Sequence, residues 1–194
     1  MGSVMFRAQH ARPAHVVDLD ARTLSPAQVD LLHADGTLTA FVESLVGDSI
    51  EIEVVDQHQE TTQADVAEWL AIRAGDVVTD RRVIALAEHS GRPHFCARSK
   101  LRFDVLPTDF ERRLRAAPAG LGAALDAAGI PVERAMLWWG RSDTPHWAVE
   151  RGLSKESLTR TYRFLSNGRP FALVTEWFPV QQSPATEQAQ GAVE

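Results

Sequence analysis

The chain alternates between short stretches of two kinds. In some, apolar residues recur every three or four positions; in others they alternate with polar ones. Ser25-Pro26-Ala27-Gln28 joins a capping serine, a proline suited to the first helical position and a glutamine that completes a capping box. A helix is expected from there through Val29, Leu31 and Leu32 to a turn at Asp35-Gly36. A second helix is expected from Thr37 or Leu38, with Leu38, Phe41, Val42 and Leu45 on one face and Gly47-Asp48 at its end. Ile50, Ile52 and Val54 alternate with Glu51 and Glu53, the pattern of a half-buried strand. Residues 62–74, with Val66, Trp69, Leu70 and Ile72, fit either a short helix or an irregular crossing.

Residues 77–88 read as a strand apolar on both faces, Ser90-Gly91-Arg92-Pro93 as a turn, and residues 94–104 as the returning strand. Thr108-Asp109-Phe110-Glu111 is a second capping box, and Leu121 opens a short helix stopped by Gly129 and Pro131. Residues 135–140 fit a strand; residues 141–156 show no clear period. The sharpest local signal is a hairpin. Thr159–Leu165 and Pro170–Phe178 flank Asn167-Gly168, the preferred pair of a type I′ turn. Strands joined by tight turns with few helices between them indicate an α+β fold, an antiparallel sheet with helices packed on it. Residues 1–22 read as an N-terminal arm, 23–180 as the folded domain, and the polar stretch 181–194 as a disordered tail.

Composition narrows the function. Twenty Lys and Arg stand against 26 Asp and Glu in 194 residues, a net charge of −6. An acidic chain without a basic block is a poor general binder of nucleic acid or anionic membrane, so an anionic ligand must be held by a few placed arginines. No long apolar leader or membrane-spanning run is present, and the single cysteine excludes an internal disulfide; a cytoplasmic setting is expected. The seven histidines make no metal spacing, and no phosphate-binding glycine loop or nucleophile elbow occurs.

Glu176 is the most informative residue. It shares a strand face with Ala172, Val174 and Phe178, and the other face, Phe171, Leu173, Thr175 and Trp177, is also apolar in character. A carboxylate there must be paired, hydrogen-bonded or protonated, unless it sits near the strand end and reaches solvent. Arg81 and Arg82 open an apolar strand on opposite faces, and either guanidinium can grip a carboxylate through two parallel hydrogen bonds. Arg98 lies on a basic face with His94, Lys100 and Arg102, read as solvated, and Arg160 and Arg163 read the same way. Cys96 reads as a buried structural thiol. Trp138, Trp139 and Trp147 read as core, with an aromatic pocket as the alternative.

The order of several motifs resembles the chorismate pyruvate-lyase family, in its actinobacterial branch that makes 4-hydroxybenzoate. The motifs are Asp35-Gly36-Thr37-Leu38-Thr39, Arg82-Val83-Ile84-Ala85-Leu86, Phe95-Cys96-Ala97-Arg98-Ser99, Leu121-Gly122, Tyr162-Arg163, Asn167-Gly168-Arg169-Pro170 and Val174-Thr175-Glu176-Trp177-Phe178-Pro179. The chain departs from the family at Ala40, where a basic residue is common, and at Gly120, where a proline is common. The resemblance implies a curved antiparallel sheet with helical flaps over an internal pocket. It implies cleavage of chorismate into 4-hydroxybenzoate and pyruvate, without cofactor or metal. It implies that Arg82 binds the substrate carboxylate, that Glu176 faces the ring hydroxyl, and that Leu38 and Leu121 offer backbone N–H groups. The catalytic pair is then Arg82 and Glu176. Two other readings stand beside it: a repurposed enzyme of the same fold acting on an intermediate of secondary metabolism, motivated by the tryptophan-rich segment, and a non-catalytic small-molecule-binding module.

Overall fold

The structure, a computed structural model, describes residues 6–34, 38–116 and 120–180. The expected Asp35-Gly36 turn and the 181–194 tail lie outside them. Among the described residues six strands form one antiparallel sheet: β1 (Ile50–Thr61), β2 (Val77–Ala87), β3 (Pro93–Leu101), β4 (Glu133–Asp143), β5 (Glu156–Ser166) and β6 (Arg169–Pro179). The order is β1-β2-β3-β6-β5-β4, two three-stranded meanders joined where β3 pairs with β6. The α+β expectation holds. Asn167 and Gly168 have φ of 50° and 74°, as the type I′ turn requires. Four of the five strand pairings carry a register shift, and each such bulge bends its strand.

The helices are α1 (Pro26–His33), α2 (Leu38–Val46), α3 (Ala64–Leu70), α4 (Phe110–Ala116), α5 (Leu121–Ala127) and α6 (His146–Val149). The Ser25–Gln28 capping box forms as the sequence predicts. Residues 62–74 supply the short helix α3. The unreadable stretch 141–156 holds the last residues of β4, the single turn α6 and the first residue of β5, pieces too short to show a period.

Helices cover both faces of the sheet. On the inner face, Leu38 and Val42 of α2 pack on Val83, Ala85, Phe95 and Phe178. Farther along that face, Phe110 and Leu114 of α4 and Leu125 of α5 pack on Leu101, Tyr162, Phe164 and Ala172. On the outer face, Trp69 of α3 meets Trp138 edge-on at 5.3 Å, and Ala148 of α6 joins Ile84 and Cys96. Burial in this apolar cluster pushes the Cys96 thiol far above its ordinary range, which fits a structural rather than nucleophilic residue.

The N-terminal arm closes one edge of the sheet. Arg7 and Ala8 donate backbone N–H to Met136 and Leu137 carbonyls, both at 3.0 Å. The Gln9 side chain acts as a strand would, donating to the Trp139 carbonyl at 2.9 Å and accepting from the Trp139 N–H at 3.0 Å. Val17 and Arg141 exchange both backbone bonds. The arm therefore pairs the free groups of β4 that would otherwise template another chain. Gly140 permits this approach, because a Cβ there would lie 2.4 Å from the Val17 carbonyl oxygen. Gly140→Ala should detach the arm and cost about 1–3 kcal/mol, the usual penalty of overpacking. Amide exchange at Val17 and Arg141 should accelerate together. Unchanged protection at both would refute the edge-capping role.

Candidate active site

The sheet register builds the site. Val83 of β2, Ala97 of β3, Glu176 of β6 and Arg160 of β5 stand side by side in one row across the inner face. Two residues along lies the row Arg81, Ser99, Val174 and Tyr162. Glu176 is therefore directly opposite Arg160 and diagonal to Tyr162, distances that long side chains span. The contacts follow. Arg160 Nε donates to Glu176 Oε2 at 2.6 Å, and the Tyr162 hydroxyl donates to Oε1 at 2.7 Å. Glu176 is 4% exposed and Arg160 fully buried. The alternative that Glu176 reaches solvent is thereby removed. Burial, then the neighbouring Glu176 charge, pushes the Tyr162 hydroxyl far above its ordinary range, so it stays protonated and donating.

Arg160 also reaches the end of α1. Its Nη1 donates to the carbonyls of Leu31 at 2.7 Å, Ala34 at 2.8 Å and Leu32 at 3.3 Å. Reading Arg160 as a solvated residue was wrong. The two-residue turn alone would set Arg160 opposite Thr175, on the outer face. The extra residue Phe171, inserted where the β5–β6 register shifts, moves Arg160 opposite Glu176.

A cavity of about 60 Å³ lies over this network. Its floor includes Arg81, Ser99, Tyr162, Val174 and Glu176, and its cover comes from Leu38 and Thr39 at the start of α2 and Gly120–Ala123 at the start of α5. The predicted residues Leu38, Leu121 and Glu176 thus come together. Arg82 does not join them. Side chains alternate along β2, and the row register puts Val83 and Arg81 on Glu176's face, so Arg82 points to the outer face. Sequence pattern could not make this choice because both faces of β2 are buried. Arg81 is the arginine that lines the cavity; it is 2% exposed, and its Nη1 donates to Gln57 Oε1 at 2.5 Å. Burial lowers its pKa from the ordinary arginine value.

Arg82 instead serves an ion cluster on the outer face. The fully buried Asp80 accepts from Arg82 Nε at 3.0 Å and Arg98 Nε at 2.7 Å, and Lys100 Nζ lies at 3.0 Å. Lys100 also pairs with Glu60. The basic face read as solvated is thus a partly buried network. Burial opposes ionisation of Asp80, but hydrogen bonds from Arg98 and Lys100 outweigh it and hold the carboxyl below its ordinary value. His58, Glu60 and Asp80 lie close enough together to suggest a metal, but three cations already occupy Asp80.

Trp138, Trp139 and Trp147 all lie outside the cavity lining. Trp138 packs on Trp69, Trp139 against Phe6 and the arm, and Trp147 beside Cys96. A larger groove of about 510 Å³ runs between α1, α2 and the sheet, beyond Phe95 and Phe178. Its lining includes Asp48, Arg92 and His94, but not the hydrogen-bonded Glu176 and Tyr162 that lie beside Arg81 in the smaller cavity.

Fold and site together define an antiparallel sheet domain that encloses an arginine- and carboxylate-lined cavity beneath helical cover. Comparison with known proteins makes the class specific. The family model described as chorismate pyruvate-lyase, Rv2949c-like, matches residues 32–186, and the chain belongs to that family. A protein of Mycobacterium tuberculosis strain H37Rv named chorismate pyruvate-lyase is 29% identical over 168 residues, covering 83% of each chain. One of the same name from Mycobacterium leprae is 26% identical over 170 residues, covering 81% of this chain and 80% of its own. Among solved structures, the effector domain of PhnF from Mycobacterium smegmatis superposes with a TM-score of 0.55 at 15% identity, covering 75% of this chain and 89% of that one. The C-terminal domain of the histidine utilization repressor from Pseudomonas syringae gives 0.54 at 15% identity, covering 68% and 92%. These structures share the fold. No described helix is long and apolar enough to cross a membrane.

Two predictions concern the charges. Arg160→Met leaves Glu176 buried without a cation and should cost about 3–5 kcal/mol in chemical denaturation, and adding Glu176→Gln should recover much of that loss. Strict additivity of the two substitutions would refute the pairing. Asp80 has a lowered pKa, so its stabilisation is present above the ordinary value of 3.8 and is lost as pH falls through the lower native value. Asp80→Asn should therefore be less stable than wild type at neutral pH and lose less on acidification below about 4. Melting temperatures that fall in parallel would contradict this.

Proposed function

We propose that the protein is a chorismate pyruvate-lyase, converting chorismate into 4-hydroxybenzoate and pyruvate. The observation that carries this reading is the convergence of Arg81, Glu176 and Tyr162 on one enclosed cavity in a chain of that family. The substrate is a cyclohexadiene with a ring carboxylate, a ring hydroxyl and a neighbouring enolpyruvyl ether. In the elimination the ether C–O bond and the adjacent ring C–H bond break, and the electron pair of the C–H bond completes the aromatic ring. The proton ends on the methylene carbon of the released pyruvate. Aromatisation supplies much of the driving force, so the protein's task is to hold one reactive conformer and exclude water.

In this reading Arg81, not Arg82, takes the ring carboxylate, and backbone N–H groups at Leu38 and Leu121 assist it. Glu176 accepts from the ring hydroxyl. An ionised carboxylate has about four lone-pair positions, and Arg160 and Tyr162 occupy two of them, so one more donor is accommodated. Arg160 and Tyr162 fix the orientation of that acceptor. The chemistry calls on no metal or organic cofactor. The α2 and α5 segments over the cavity act as flaps, and their opening for product release is a candidate rate-limiting step. The three tryptophans, which motivated a different substrate, lie outside the cavity lining and no longer favour one.

The direct test mixes purified protein with chorismate, without metal or nucleotide, and follows both products by chromatography. Equal amounts of 4-hydroxybenzoate and pyruvate above the uncatalysed rate are expected. Arg81→Ala and Glu176→Gln should each lower kcat/KM about a hundredfold or more, the scale of removing one partner of a buried charged contact. Arg82→Ala should stay within a few-fold of wild type. No product from folded protein overturns the lyase reading; loss on Arg82→Ala with full activity in Arg81→Ala overturns the assignment of Arg81.

A further inference from the structure

The cavity has a second arginine that neither composition nor motif order singled out. Arg134 on β4 stands opposite Phe164 of β5, which places it on the same face as Tyr162 and Glu176. Its guanidinium carbon lies 4.6 Å from the centre of the Tyr162 ring and 5.1 Å from that of Phe164. Its Nη1 donates to the Ala34 carbonyl at 3.3 Å. The two rings stand nearly perpendicular to each other, at 82°, so together they hold the guanidinium in place at the cavity wall, where its charge faces a ligand. Among the described residues lining the cavity, the charged ones are Arg81, Arg134 and Glu176.

Their placement on either side of the acceptor matters more than their number. Arg81 projects from β2 and Arg134 from β4, with β3, β6 and β5 between them. Glu176 and Tyr162 sit on the intervening strands, joined by a 2.7 Å hydrogen bond, and Arg134 covers the Tyr162 ring. Across the cavity the sequence is therefore guanidinium, carboxylate acceptor, phenol, guanidinium. Resting on the lyase reading above, the ligand carries its hydroxyl at the far end of the ring from the ring carboxylate, and beside that hydroxyl an ether whose second carboxylate reaches out past the ring; Arg81 lies on one side of the Glu176 acceptor and Arg134 on the other, over the Tyr162 that bonds it. We infer that Arg134 binds the enolpyruvyl carboxylate, and that it makes the site select dicarboxylates of this shape over monocarboxylates.

The inference separates substrate from product. Cleavage removes the second carboxylate with pyruvate, so 4-hydroxybenzoate keeps the contact to Arg81 and loses the one to Arg134. Arg134 then acts as a specificity residue, and because the ether carboxylate is held alike in the ground and transition states, its loss falls on KM more than on kcat.

The test compares wild type, Arg134→Met and Arg134→Lys. Methionine keeps an apolar stem against Tyr162, whereas lysine keeps the charge and loses the planar fork. Calorimetric titration would use two stable ligands, 4-hydroxybenzoate and 3-(carboxymethoxy)-4-hydroxybenzoate, whose ether carboxylate stands in for the enolpyruvyl one. Arg134→Met should weaken the dicarboxylate by about ten- to a hundredfold, the scale of one charge-assisted contact, and change 4-hydroxybenzoate by less than about threefold. Its KM for chorismate should rise by a similar factor with kcat largely kept, and Arg134→Lys should recover part of the loss. Equal weakening of both ligands would show a merely structural role and overturn the inference. So would wild-type protein that binds the dicarboxylate no more tightly than the monocarboxylate. The titration needs no turnover, so a failure of the lyase reading in the chorismate assay is distinguishable from a failure here.

Discussion

A carboxylate cannot be carried into an apolar core alone, and the inner face of this sheet is arranged around that constraint. Glu176 is buried between strands whose neighbours are alanine, valine and phenylalanine, and it is tolerated because Arg160 and Tyr162 bond both of its oxygens. Arg160 is buried in turn, and the N–H donors of its Nη1 need acceptors. The last carbonyls of α1 supply them, since the end of a helix has unpaired C=O groups and a partial negative charge. One guanidinium therefore serves the sheet and the helix above it. Because α2 begins a few residues after α1 ends, the cover of the cavity is held in register with the acceptor in its floor.

The outer face contributes to the same end. Arg81 and Arg82 are neighbours in sequence and serve opposite sides of the sheet. A slip of one residue in β2 would exchange them, bringing Arg82 into the cavity and turning Asp80 inward with the rest of its face. Asp80 makes that exchange costly. It is fully buried among Arg82, Arg98 and Lys100, and those bonds tie β2 to β3 at the position where Arg81 leaves the strand. The ion cluster needs no ligand to be useful; it pins the register on which the cavity depends.

Those arrangements explain what the sequence disclosed. The capping box at Ser25, the Asn167-Gly168 turn and the alternation around Glu176 are local rules, and the structure obeys each of them. The site residues missed were those whose orientation depends on pairing across strands. Arg160 is displaced from the position that simple counting gives by one bulged residue, Phe171. Arg81 and Arg82 are indistinguishable by pattern because both faces of β2 are covered, one by α2 and the other by α6. Arg134 lies in a strand whose period is hidden by its own register shift between Met136 and Trp138. A long-range pairing that shifts by one residue leaves no trace in hydrophobic period. Legibility thus ended where register began.

On the proposed function, the division of labour between strands and helices follows from the chemistry the site would perform. A reaction driven by the stability of its aromatic product asks for orientation more than for a strong acid or base. Orientation is best supplied by groups whose backbones are fixed on both sides, and Arg81, Glu176 and Tyr162 all lie on interior strands with hydrogen-bonded neighbours. Entry and exit ask for the opposite property. The cover is made from the first turns of α2 and α5, elements of nine and seven residues that touch the sheet through one face. Short helices are only marginally stable by themselves, so their position rests on that packing and is free to change when it is exchanged for ligand contacts. A floor fixed by its hydrogen-bond ladder and a cover held by side-chain packing would satisfy both demands without asking any one element to do both.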